Sequence, residues 1–162
     1  MPVQLNVAGQ EFLYPIPGDS PDWSEGATDW AEAVTTTLSE VIGPGDILQT
    51  PATINNTGVL TNVSGLFFDP TVVRGAIVEY SVYRVTTGAG ATELVEAGTM
   101  YLTYKSTAAV WDLVVVGSSG ANITFSIISG GANSGQVQYV ATPITGSSYV
   151  GTMKFRARSL TQ

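Results

Sequence analysis

Apolar residues recur with two different periods along this chain, and the change of period divides it. Between residues 23 and 41 the large apolar side chains are Trp23, Trp30, Val34, Leu38 and Val41, with Ala27 completing the stripe; the spacings of 4, 3, 4, 4 and 3 predict an amphipathic helix close to a heptad. Ser20-Pro21 supplies its start, serine as N-cap and proline at the first helical position, and Gly43-Pro44-Gly45 supplies its stop. Gly26 and the run Thr35-Thr36-Thr37 lower intrinsic helicity, so the helix depends on contacts with its own domain or with copies of itself around a three-fold axis. Ahead of it, residues 1–19 read as an extended arm, because Pro15 and Pro17 each favour an extended residue before them.

From Asp46 onward the period falls to two. Ile47 to Asn55, Val63 to Phe68, Ala76 to Thr86, Glu93 to Lys105, Trp111 to Val116, Ile123 to Ile128, Gln136 to Ala141 and Gly151 to Leu160 are eight candidate strands, separated by breakers such as Asn56-Thr57-Gly58, Asp69-Pro70 and Gly130-Gly131-Ala132-Asn133. The spacing predicts a mainly β chain: an antiparallel β-sandwich or jelly-roll-like domain preceded by an extended arm and one α-helix. Residues 1–45 form the arm and helix, with an anchoring or oligomerising role, and residues 46–162 the sandwich. Ala76, Val78, Tyr80 and Val82 alternate with Ile77, Glu79, Ser81 and Tyr83, which gives one apolar and one mixed face. Tyr83, Tyr101 or Tyr104 on the mixed face suit either a contact surface or aromatic cross-strand pairs.

Composition narrows the chemistry. The chain has no Cys and no His among 162 residues, which removes thiol nucleophiles, Cys-ligated metals, disulfides and every imidazole-based triad. Lys105-Ser106 and the carboxylates Glu79, Glu93 and Glu96 are the remaining formal candidates, and a solvated loop and solvated strand faces account for them more simply. Asp19 and Asp22 lack the dense acidic pattern of a calcium loop and suit a helix start instead. Gly88-Ala89-Gly90-Ala91 and Gly117-Ser118-Ser119-Gly120 read as hairpin loops, since neither opens a helix. No catalytic residue, metal or cofactor is therefore expected. Only 12% of residues are charged, against about 25% in a typical soluble domain, so the surface is largely Thr, Ser, Asn and Gly and suited to touching other proteins.

Charge position is more informative than the total of −7. Residues 1–73 hold nine acids and no base, while residues 74–162 hold four acids and all six bases, so the two parts carry −9 and +2. Lys154, Arg156 and Arg158 alternate with Met153, Phe155 and Ala157, so a strand here points three cations to one face. That face is either an ordinary solvated surface or the complement of an acidic partner, such as the N-terminal part of a neighbouring copy. Three bases on a net negative chain argue against a nucleic-acid partner. The N-terminus has no basic region followed by a long apolar run, and no stretch reaches the roughly 18 apolar residues of a membrane span; the expectation is synthesis in the cytoplasm with no signal peptide and no membrane partner.

Phe12-Leu13-Tyr14-Pro15, Gly18-Asp19, Trp23 and Ala27-Thr28-Asp29-Trp30-Ala31 together resemble the N-terminal segment of virion structural proteins of tailed bacteriophages, especially tail-fibre and head-appendage proteins. Gly45-Asp46-Ile47, Val63 to Asp69, Ile77 to Arg84, Gly98 to Leu102, Ile123 to Ile127, Gly135 to Tyr139 and Gly151 to Ala157 are similar to a β domain of phage structural proteins. The long shaft and receptor-binding tip of a fibre are missing from the chain. The resemblance implies a non-enzymatic capsid decoration (cement) protein, a homotrimer on the capsid exterior, with phage capsid or tail proteins as partners. Its interface candidates are Phe12, Tyr14, Trp23, Trp30 and Leu38 with Lys154, Arg156 and Arg158. A tail-fibre, tail-appendage or collar component is the alternative, which brings a host glycan in as partner. More distant is a carbohydrate-binding module with Trp111 as the sugar-stacking residue.

Overall fold

The computed structural model describes residues 3–7, 10–14, 29–36, 42–118 and 120–161. It divides into two compact units, Met1–Gly43 and Pro44–Gln162.

In the first unit the expected arm is folded back on itself. β1 (Val3–Val7) pairs antiparallel with β2 (Gln10–Tyr14), with Leu5 opposite Phe12 and Val3 opposite Tyr14. Pro2 and Pro15 fall just outside the paired residues, so nothing in Val3–Tyr14 denies the backbone a ladder. The helix α1 is described over residues 29–36, the middle of the predicted span; Ser20, Pro21, Trp23 and Leu38 lie outside the described residues. Trp30 on α1 is 42% exposed and Val34 half-buried.

The second unit holds all eight predicted strands: β3 (Ile47–Thr53), β4 (Thr61–Phe67), β5 (Val73–Thr87), β6 (Glu93–Lys105), β7 (Val110–Gly117), β8 (Ile123–Ile127), β9 (Gln136–Ala141) and β10 (Ser147–Thr161). They form a five-stranded sheet, β3-β10-β5-β6-β7, and a three-stranded sheet, β4-β9-β8, with every pairing antiparallel. β3 beside β10 and β4 beside β9 are the pairings that wrap a jelly roll. β5, β6 and β7 instead run as a meander within one sheet, and there the likeness to a jelly roll ends.

The period of two explains the packing. On β5, Val78, Tyr80 and Val82 are buried, and on β10 so are Met153, Phe155 and Ala157, while the residues between them face outward. These inner faces meet Val63, Leu66, Val137 and Tyr139 of the smaller sheet, and the Tyr80 ring stands edge-on to Phe125 with centroids 5.1 Å apart. Removing a fully buried ring such as Phe155 costs about 3–5 kcal/mol. Gly135 lets the chain pass close behind this core: its φ is +98°, and a Cβ there would lie 1.9 Å from the Phe68 carbonyl oxygen.

Candidate interaction surface

Antiparallel register brings outward residues of four strands into straight rows on the five-stranded sheet. Arg158 stands opposite Ile77, Ile77 opposite Tyr101, and Tyr101 opposite Val114. The next row runs Arg156, Glu79, Thr99 and Val116, and a third sets Lys154 beside Ser81 and Ala97. Ile77 and Tyr101 are each 47% exposed, Val114 56% and Val116 57%. A patch with an apolar row on β5, β6 and β7 and a cationic border on β10 is thus open to solvent.

The three cations predicted to share a face do so, with Met153, Phe155 and Ala157 buried behind them. Their states differ. Arg156 donates from Nε to the Glu79 carboxylate, and that bond and charge hold the Glu79 carboxyl below the usual carboxylate range, with the nearby Arg158 adding to the effect. The same contact raises the Arg156 guanidinium above its ordinary value. Lys154 and Arg158 have no ion-pair partner among the described residues. Beside them a shallow depression of about 250 Å³ is lined by Gln49, Lys154, Arg156 and Glu79. It is too open to exclude water and suits a protruding polar side chain of another protein better than a small molecule.

Other sequence candidates fall elsewhere. Trp111 is 4% exposed and lies between Phe68 and Tyr104, with centroids 6.3 and 5.1 Å away, so it cannot stack on a sugar. Its position in β7 has inward parity, like Leu113, and Tyr104 is half-buried with it rather than placed on the mixed face. Tyr83 and Tyr101 do lie outward. Glu79 and Glu93 share the outer face but sit six register positions apart, roughly 20 Å, whereas glycoside hydrolysis needs about 5–9.5 Å; Glu96 points to the opposite, inner face. Lys105 pairs with Asp112, and Ser106 accepts a hydrogen bond from Arg74. Residues 88–91 connect the hairpin β5–β6, but residues 117–120 do not form a hairpin: β7 and β8 belong to different sheets, so this loop crosses the sandwich. Phe12 and Tyr14 fall at alternate positions of β2. Among the described residues no three acidic side chains cluster as a metal site would need, and no helix is long and apolar enough to cross a membrane.

Two buried charges escaped the sequence reading. Arg84 is fully buried; its guanidinium donates to the carbonyls of Ala121 (2.6 Å) and Thr142 (2.8 Å), to Asn56 Oδ1 (3.1 Å) and to the Tyr149 hydroxyl (3.1 Å). Glu96, also buried, accepts from the Tyr80 hydroxyl (2.7 Å) and the Ala121 amide (3.1 Å). Parity alone could have found both, since Arg84 continues the inward series Val78, Tyr80, Val82 and Glu96 the inward series Met100, Leu102. These groups are enclosed and mutually satisfied, which makes them ties within the sandwich rather than a reactive site. Compared with known protein families, with curated proteins and with solved structures, the chain matches none.

Proposed function

We propose that the chain is a non-enzymatic structural protein of a tailed-phage particle, a capsid decoration protein that binds the outer shell as a trimer and bridges neighbouring capsid subunits against internal pressure. The observation that carries this reading is the outer face of the five-stranded sheet, with the exposed row Ile77, Tyr101 and Val114 ending at Arg158, and with Lys154 unpaired among the described residues. An apolar centre with a polar, charged border is the anatomy of a protein interface. The stretches of residues 46–162 that resemble phage structural proteins fall on β4, β5, β6, β8, β9 and β10, six of the eight sandwich strands, and reach Ile47 at the start of β3. The partner surface is acidic, either on the shell or in the N-terminal part of a neighbouring copy, where residues 1–73 carry nine acids and no base. Aromatic residues of that N-terminal part, Trp23 and Trp30 among them, serve as anchors.

Reconstruction of intact particles tests the reading. Density for the sandwich at three-fold positions on the shell supports decoration. Density on the tail or collar moves the protein to the tail-appendage alternative, and its absence from particles ends both.

A further inference from the structure

Four strands end the two sheets: β3 and β7 in the larger, β4 and β8 in the smaller. Three carry features that discourage further pairing. β3 contains Pro51, β4 breaks register between Asn62 and Phe67 with Gly65 at φ +79°, and β8 is only five residues long. β7 has eight residues and no such device, and it exposes Val114, Val115 and Val116 in succession.

The direction of its backbone groups follows from two contacts. Ser118 N donates to Ala97 O, which makes that pair a hydrogen-bonded one; by alternation Val116–Thr99 and Val114–Tyr101 are bonded too. Trp111, Leu113, Val115 and Gly117 therefore turn their N–H and C=O groups away from β6. Trp111 confirms the phase, because its N–H donates to the Ser129 hydroxyl (2.9 Å) and its carbonyl accepts from it (3.1 Å). That hydroxyl closes the ladder at one end and leaves Leu113, Val115 and Gly117 with no backbone partner among the described residues on the open side.

We propose that this edge pairs with the same edge of a second copy, antiparallel, about a two-fold axis at Val115. In that register Val115 opposes Val115 of the partner copy, and Leu113 opposes its Gly117. Each is a pair whose groups already point outward, giving six new main-chain hydrogen bonds and a ten-stranded sheet. Val114 lies opposite Val116 on the outer face, so the apolar rows of the two copies become continuous. The occupant is a copy because the edge is self-complementary under the two-fold and residues 113–117 contain no ionisable group, so the pairing sets no like charges opposite one another in chains of net charge −7. A ribbon of this length falls short of the about 800 Å² per partner of a stable complex, which makes the dimer weak and concentration-dependent. The contact is independent of the virion reading and of its three-fold association; where both exist, it joins neighbouring trimers.

Residue-resolved amide exchange of the full chain over a concentration series, with sedimentation mass, tests it. At high concentration the amides of Leu113, Val115 and Gly117 slow by about tenfold or more, while those of Val114 and Val116, already bonded to β6, do not change. Val115→Pro removes only an outward N–H, and Val116→Lys places a charge in the contact; both abolish the concentration-dependent step in mass. Equal exchange of the three outward amides at all concentrations, or variants that associate like the parent, overturns the pairing. Should Val115→Pro fail to fold, Val116→Lys and the exchange pattern of the parent decide alone.

Discussion

Arg84 and Glu96 hold the two backbone groups of one residue: the Ala121 carbonyl accepts from the Arg84 guanidinium at 2.6 Å, and the Ala121 amide donates to the Glu96 carboxylate at 3.1 Å. Arg84 lies on β5, Glu96 on β6 and Ala121 on the loop that crosses to the second sheet, so the two bonds tie that crossing to both strands. Arg84→Met leaves the Ala121 and Thr142 carbonyls and Asn56 Oδ1 without their donor. We expect a loss of about 3–5 kcal/mol in urea unfolding. Glu96→Gln costs about 1–3 kcal/mol, since its amide cannot accept from both Tyr80 and Ala121. The double variant loses less than the two single losses combined, with a coupling of about 0.5–3 kcal/mol; strict additivity would show that the shared contact at Ala121 couples nothing.

Alkaline stability reports on Tyr80. Burial, and then the hydrogen bond and charge of Glu96, push its hydroxyl well above the ordinary tyrosine value of 10.0. The folded state thus retains a proton that the unfolded chain releases. The resulting stabilisation is complete below pH 10 and declines as pH rises from there toward the folded value. Tyr80→Phe flattens this decline in a series of melting curves above pH 10, while losing about 1–3 kcal/mol at neutral pH because Glu96 forfeits a donor. An unchanged alkaline slope would remove Tyr80 from the account.

The acid side involves Glu79. Its carboxyl is held below the ordinary value of 4.5 by Arg156, so the pair contributes above that value and the contribution fades as pH falls through the lower, folded one. The pair is fully exposed, so Arg156→Ala should leave the melting temperature nearly unchanged. Lys154→Glu with Arg158→Glu should likewise fold normally, yet lose binding to particles. Binding of the parent should weaken as salt rises. Equal occupancy of the variant would detach the cationic border from any docking role.

Gly135→Ala should be among the most damaging small substitutions in the chain. A φ of +98° strains any side chain, and the added carbon would meet the Phe68 carbonyl oxygen at 1.9 Å. We expect a drop in melting temperature far larger than for Gly130→Ala, where nothing lies within 4 Å of the new carbon.

Trp111→Phe makes a subtler test. The indole Nε1 is buried and has no hydrogen-bond partner among the described residues, so replacement removes an unsatisfied donor along with packing volume. The two effects oppose, and the net loss should stay below that of Phe68→Ala, about 3–5 kcal/mol.

Strand positions were legible because they depend on a period of two over long runs, and Val78, Tyr80, Val82 beside Met153, Phe155, Ala157 leave only one way to face the core. The cationic face of β10 was legible for the same reason. The hairpin of β1 and β2 was missed because Pro15 and Pro17 drew attention to extension rather than to pairing. Trp111 looked exposable because β7 is an edge strand whose burial depends on the second sheet, through Phe68. Residue type makes Glu96 a solvated strand charge and does not single out Arg84, although the parity of both places them inside. The open edge of β7 could not be read at all, since which strand ends a sheet is a long-range property.

The most direct measurement is a reconstruction of the intact particle at side-chain resolution. Under the proposed function the sandwich lies on the outer shell with Lys154, Arg158 and the row Ile77, Tyr101, Val114 facing an acidic neighbour. A particle that contains the protein with this face turned to solvent, or one that lacks the protein altogether, would contradict it.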